Sequence, residues 1–268
     1  MKLSISTLGC PDWGFDRVVQ EFENLGVDIE VRGVDGEMEA GRIARFSPAR
    51  AQETKALLAA HGRKIVGFGT SCKFHDPAAQ EENVRAGWEA AEVCARMGIP
   101  ALRVFGNDIP DKARAAETIA FACQGIRKVC ERAADQGVQT LLEVHGDFNT
   151  VEAMRLVAQE MAGAPGFGIL WDVEHSDKTC GDDFLPFYAT VRPLLRHVHI
   201  KDYHRGENGQ FTLCPVGEGD IPLPEIVHTL LRDGYDGYFS LEWEKKWVPS
   251  LAEPEEVFPA FVRYMRAL

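Results

Sequence analysis

Four side chains able to bind a metal or move a proton stand at the ends of four short apolar runs: Glu143 in TLLEVHG, Asp172 in GILWDVEH, His199 in RHVHIKD and Glu242 in YFSLEWE. A run such as Thr140-Leu141-Leu142 is the pattern of a strand buried on both faces, so a charge at its C-terminal end lies where core gives way to solvent. One such residue per strand points to a single shared site. Three carboxylates and an imidazole do not meet without compensation, because two bare charges about 4 Å apart repel by roughly 4 kcal/mol at a surface-like dielectric. A divalent cation is the simplest remedy. The O3N donor set, with room for water or substrate oxygens, suits a hard, roughly octahedral ion: Mn2+ first, then Mg2+ or Co2+, with Zn2+ as an alternative. Each residue also has a bland reading, as a solvated or capping carboxylate or a hydrogen-bonded histidine, but that reading has to hold four times over.

The elements that must position these residues follow from the period of the apolar pattern. Strands are expected at Lys2–Thr7, Val27–Val31, Lys64–Phe68, Ala101–Phe105, Thr140–Val144, Gly168–Asp172, His197–Ile200 and Gly237–Leu241. Helices are expected at Asp16–Leu25, Pro48–Ala60, Ala78–Met97, Ala113–Gln136, Thr150–Met161 and Leu223–Asp233. Gly26, Gly62, Gly98, Gly137 and Gly234 stand where helices end, and Asn149-Thr150 offers an N-cap. Strands separated by helical crossovers pair in parallel, and repeated right-handed βα units close into a (β/α)8 TIM barrel of about 250 residues. No Pro/Gly/Ser-rich linker interrupts the pattern, so residues 1–268 read as one α/β domain. The rival, an open doubly wound sheet, wants a glycine-rich first turn, and Thr7-Leu8-Gly9-Cys10-Pro11 has one glycine. In the barrel all four polar residues fall on the C-terminal rim, on adjacent staves five to eight.

Composition narrows the partners. A net charge of −12 argues against general affinity for nucleic acid or an anionic membrane, and no run approaches the roughly 20 apolar residues of a membrane span. The odd count of 7 cysteines shows no metal-binding spacing and reads as reduced thiols; with the N-terminal MKLSISTLG carrying no signal-peptide pattern, a cytoplasmic protein is expected. The partner is then a small molecule: a sugar, keto-sugar or cyclitol. Trp243, Trp247 and Pro249 near the rim would serve a lid or a homo-oligomer contact.

The segments Ile29-Glu30-Val31-Arg32, Glu143-Val144-His145, Asp172–His175, His197–Asp202, Val216–Pro222 and Gly234–Glu242 together resemble the xylose-isomerase-like TIM barrels, the sugar phosphate isomerase/epimerase superfamily, over nearly the whole chain. The resemblance lies near the ketose 3-epimerases and inosose dehydratases. It implies that Glu143, Asp172, His199 and Glu242 are metal ligands, and that Glu143 and Glu242 also act as base and acid on opposite faces of the substrate. It further implies that His175 and Arg205 contact substrate. The chain departs from the ketose 3-epimerases at Asn149, where they place a substrate-contacting glutamate. The chemistry implied is proton abstraction next to a carbonyl through a metal-stabilised enediolate, as in a divalent-metal-dependent isomerase or epimerase.

Strand parity adds weaker candidates. Glu30 and Arg32 share a face and would either meet the substrate or pair with each other. Lys201 shares the face of His199 and would approach the substrate or a carboxylate, and His145 would line the pocket or support it. Gly217-Glu218-Gly219-Asp220 carries two carboxylates and reads as a shaped loop, not a phosphate cradle. The rival functions are a dehydratase of a ketocyclitol or dehydroshikimate-like substrate, a hydroxypyruvate isomerase, and a non-catalytic sugar-binding barrel. A DNA-repair nuclease of this fold would need further histidine ligands; strand four ends in Val104-Phe105-Gly106 and offers none.

Overall fold

Every run read as a strand pairs in parallel with its neighbours, because each is apolar on the face that the crossover helices must cover. The computed structural model describes residues 1–207 and 209–268. Among them β1 (Lys2–Ser6), β2 (Asp28–Val31), β3 (Ile65–Lys73), β4 (Ala101–Asn107), β5 (Gln139–Gly146), β6 (Phe167–Asp172) and β7 (Leu195–Ile200) are followed by an antiparallel hairpin, β8 (Asp202–Arg205) and β9 (Phe211–Cys214), and then by β10 (Tyr238–Leu241). The closed barrel runs β1-β10-β7-β6-β5-β4-β3-β2, so β10 is its eighth stave. The hairpin is absent from the expected elements because its strands span only four residues each, β8 being polar and β9 largely exposed.

Helices α1 (Phe15–Leu25), α2 (Ala51–Ala60), α3 (Gln80–Met97), α4 (Ala115–Ala134), α5 (Val151–Glu160), α6 (Val173–Cys180), α7 (Leu185–Val191), α8 (Leu223–Arg232) and α9 (Pro254–Ala267) cover the barrel. The expected helices recur with ends shifted by a few residues, and the five glycines expected after them all have positive φ. The Thr150 hydroxyl caps α5 by accepting from the Ala153 amide at 3.1 Å. Three helices were not expected. Helices α6 and α7 are short, and α9 holds an internal Pro259 that obscures its period, although its buried Phe258, Phe261 and Met265 form one face.

Alternation along the strands divides the protein into two buried regions. Leu102, Val104, Leu142, Val144, Ile169, Trp171, Val198 and Ile200 point outward into the apolar shell shared with the helices. Ala101, Leu141 and Leu170 form a separate small cluster inside the barrel. Above it the interior is filled by Glu30, Arg32, Arg103, Glu143, Asp172, His197, His199, Lys201 and Glu242, all buried.

Candidate metal centre

β5, β6, β7 and β10 are neighbouring staves, and their registers place Asp172 and Ser240 beside His199. One donor atom each from Glu143, Asp172, His199 and Glu242 lies within 4.8 Å of the other three. The Nδ1 of His199 faces Glu242 Oε2 at 3.4 Å, Glu143 Oε1 at 3.6 Å and Asp172 Oδ2 at 3.8 Å. These separations exceed good hydrogen bonds. They approach the roughly 3 Å between neighbouring donors around an ion with bonds of about 2.1 Å. His199 Nδ1 is buried without a hydrogen-bond partner, which buried polar atoms rarely are, while Asp172 Oδ2 and Glu143 Oε2 are met only by the ion pairs with Lys201 and Arg103. Asp172 has a local reason for its pose. Its Oδ1 caps α6, accepting from the amides of Glu174 at 2.9 Å and His175 at 3.3 Å, and this turns Oδ2 toward the centre. The donor set fits a hard divalent ion.

Protein cations already answer part of the negative charge. Lys201 Nζ lies 2.6 Å from Glu242 Oε2, 2.8 Å from Glu244 Oε1, 3.0 Å from Asp172 Oδ2 and 3.5 Å from Glu174 Oε2. Burial opposes its charge, yet Asp172 and Glu242 outweigh that and hold its pKa well above the ordinary lysine value. Burial likewise opposes ionisation of Asp172 and Glu242, and the Lys201 ammonium overrides it, keeping both carboxyls below their usual range. Arg103 Nε lies 2.7 Å from Glu143 Oε2, and its Nη1 donates to the Thr70 carbonyl at 2.9 Å. Gly69 makes room for two guanidinium arms: a Cβ there would stand 2.6 Å from Arg103 Nη2 and 2.8 Å from Arg32 Cδ. Burial and the neighbouring Arg103 push Arg32 down to about 10.

The structure gives several of the sequence-derived candidates protein partners. Glu30, expected at the substrate or paired with Arg32, does not pair with Arg32; its Oε1 lies 2.7 Å from His199 Nε2 and its Oε2 2.8 Å from His197 Nε2. The strand period gives the right face for Glu30 but not the depth, and it sits below the rim. Lys201, expected at the substrate or at a carboxylate, pairs with the carboxylates. Arg205, expected at the substrate, binds Asp177 at 2.7 Å and Asp182 at 2.7 Å, fastening the β8–β9 hairpin to α6 and the segment after it. The distance along the chain from His199 did not reveal that hairpin. Arg32 donates through Nη2 to Ser71 Oγ at 3.1 Å, while its Nη1 is buried without a partner. Ser71 also lines an 850 Å³ cleft between the loop after β2 and the N-terminal half of α3.

His145 and His175 come together, ring centroids 4.2 Å apart, with Phe105 4.7 Å from His145. Burial pushes both imidazoles down to about 4, so they are neutral near pH 7, and His145 Nδ1 has no partner. Asn149 donates to the His175 carbonyl at 3.0 Å and so supports α6. The Gly217–Asp220 loop is wound around one carboxylate: Asp202 accepts from the amides of Gly217 at 2.9 Å, Gly219 at 3.0 Å and Ile221 at 3.3 Å. Trp243 is buried and donates to the Ala252 carbonyl at 3.0 Å, whereas Trp247 is 54% exposed. Arg103 and His197 carried a signal that went unused, since an arginine and a second histidine within buried apolar runs share the parity of Phe105 and His199.

A family model described as xylose isomerase-like TIM barrel matches residues 23–268. Among curated proteins, the C-glycoside deglycosidase alpha subunit of Arthrobacter globiformis is 33% identical over 70 residues, 26% of this chain and 18% of that protein. The putative L-ribulose-5-phosphate 3-epimerase SgbU of Escherichia coli K12 is 25% identical over 246 residues, 87% of this chain and 83% of its own. The crystal structure of the probable 3-DHS dehydratase AsbF from Bacillus anthracis superposes with a TM-score of 0.81 at 19% identity, covering 99% of each chain. Among the described residues, no helix is long and apolar enough to cross a membrane.

Proposed function

The chain belongs to the xylose isomerase-like TIM barrel family, and from that membership we propose that it is a divalent-metal-dependent sugar isomerase or epimerase that abstracts a proton next to a carbonyl. The observation that carries this reading is the meeting of four donors from four adjacent staves, each within 4.8 Å of the others. Glu143, Asp172, His199 and Glu242 would hold the ion, with Mn2+ first and Mg2+, Co2+ or Zn2+ as alternatives. The ion supplies Lewis acidity toward a carbonyl oxygen and its neighbouring hydroxyl.

The remaining work falls to the chain's own groups. Glu143 and Glu242 are the outermost of the four, flanking Asp172 and His199, and this supports assigning one to remove the α-proton and the other to return it on the opposite face. Lys201 at Glu242 lowers the basicity of that carboxylate, and Lys201 together with Arg103 at Glu143 would stabilise negative charge as an enediolate develops. Arg32, with an unpartnered Nη1, and the His145–His175 pair are the groups left to bind substrate oxygens. The epimerase relative supports a sugar substrate.

A dehydratase acting on a ketocyclitol or dehydroshikimate-like substrate is the second reading, supported by the buried, unpartnered Nδ1 of His145 two residues from Glu143. When the enediolate expels a β-hydroxyl instead of being reprotonated at carbon, the base that took the α-proton can return it to the departing oxygen, so that one base on one face suffices and water leaves. The fold likeness to AsbF agrees with it. The test is to incubate the protein reconstituted with Mn2+ in D2O with a panel of ketoses and ketocyclitols. Deuterium incorporation with no loss of water supports the epimerase. A new enone absorbance with loss of water selects the dehydratase. Neither signal, from protein that binds Mn2+, would leave a sugar-binding barrel, and protein that binds no ion defeats the metal reading.

A further inference from the structure

The described residues contain a second group of metal-ligand type, Glu30 with His197 and His199, directly beneath the first and sharing His199 with it. Two readings compete for it: a second cation site, or a hydrogen-bonded support for the first. The carboxylate of Glu30 is 2% exposed and spends one oxygen on each imidazole, at 2.7 Å to His199 Nε2 and 2.8 Å to His197 Nε2. These are hydrogen-bond separations between atoms in direct contact. An ion between them would have to displace both bonds, and His199 would have to bridge two ions through its two nitrogens.

We propose that Glu30 is a positioning residue that fixes the tautomer of His199, with His197 holding Glu30 in place, and that the group is not a second metal site; this rests on the metal reading of the site above. An ionised carboxylate only accepts. Facing Glu30, the Nε2 of His199 must therefore carry hydrogen, so that in the neutral ring that would bind a cation the lone pair of Nδ1 is directed at Glu143, Asp172 and Glu242. Without Glu30 either nitrogen could hold the hydrogen and the ring could turn. Metal-bound histidines commonly gain both orientation and donor strength from such a carboxylate. The contact crosses the barrel interior from β2 to β7, with β1 and β10 between them, and links residues 169 positions apart. His197 answers the second oxygen, which would otherwise be a buried, unpaired half of a charge. It is seated by Tyr238, its register partner on β10, whose ring stacks on it at 6.5 Å.

The experiment titrates Mn2+ into wild type, Glu30→Gln, Glu30→Ala and His197→Ala, counting free ion by electron paramagnetic resonance, and reads the histidine nitrogens of the Zn2+-loaded wild type by long-range 1H–15N correlation. One ion per chain is expected, bound roughly 10–100-fold more weakly after Glu30→Ala, with smaller losses for Glu30→Gln and His197→Ala. In the Zn2+ protein His199 should show a metal-shifted Nδ1 and a protonated Nε2. Affinity unchanged in both Glu30 variants, or a protonated Nδ1, overturns the inference while the metal site stands. Two ions per wild-type chain, one lost with Glu30, overturns it in favour of a second site. If Glu30→Ala does not fold, Glu30→Gln and the wild-type nitrogen spectrum decide. A wild type that holds no ion defeats the functional reading first, and this one with it.

Discussion

The two faces of the same barrel strands are equally buried and are held together by different physics. Outward, Trp171 stacks on Tyr188 at 5.7 Å and lies 6.0 Å from Phe187, one point in a continuous apolar shell. Inward, one or two residues along the same strands, Asp172, Lys201, Glu143 and Arg103 are packed as countercharges. Barrels of this architecture usually fill their interior with branched apolar side chains. Here, among the described residues, Ala101, Leu141 and Leu170 form a small apolar cluster within it. The difference separates stability from chemistry by a period of two: burial of apolar area stabilises from outside, and each inward charge is tolerated because another answers it.

Substitutions on the two faces should therefore fail in different ways. The largest loss of stability is expected from Trp171→Ala, about 3–5 kcal/mol in urea unfolding, since a fully buried ring would leave a cavity. Arg103→Met attacks the inward face. It leaves Glu143 buried without its cation and should cost about 3 kcal/mol in metal-free protein. Saturating Mn2+ should recover part of that loss and none of the loss in Trp171→Ala, as thermal melts with and without the ion would show. Equal recovery in both would erase the distinction. Glu143→Gln keeps the shape and removes the charge; turnover on an identified substrate should fall roughly 100-fold or more, while the urea midpoint moves far less than for Trp171→Ala. The smallest effect belongs to Arg205→Ala, about 1–2 kcal/mol, because its guanidinium is one-third exposed and the buried Asp177 that it leaves keeps the Tyr203 hydroxyl. Hydrogen exchange should quicken in the β8–β9 hairpin and not in β5 or β7, which tests whether Arg205 ties the hairpin or serves the centre.

Particular residues show how far the chain could be read. Glu143, Asp172, His199 and Glu242 were legible because a lone charge at the end of an apolar run is conspicuous and the barrel closes the four staves side by side. The partners of Arg205 were not legible, because a hairpin turns the chain after β7 and gives the guanidinium to Asp177 and Asp182. Arg103 was missed although an arginine within a buried run demands a partner; that partner, Glu143, is on the next stave and 40 positions away. Asp202 was read as part of a motif, and its organising of the Gly217–Ile221 loop appeared only with the backbone folded around it.

By itself the sequence determined the alternation of strand and helix, the face each strand residue takes and the chemical types gathered at the rim, since all of these are set by local period and burial preference. Tertiary structure alone decided which charge answers which: Glu30 beneath His199, Lys201 among the carboxylates, Arg103 on Glu143. Those pairings join staves far apart in the chain, and the few ångströms over which a hydrogen bond or ion pair acts are fixed only when the barrel closes.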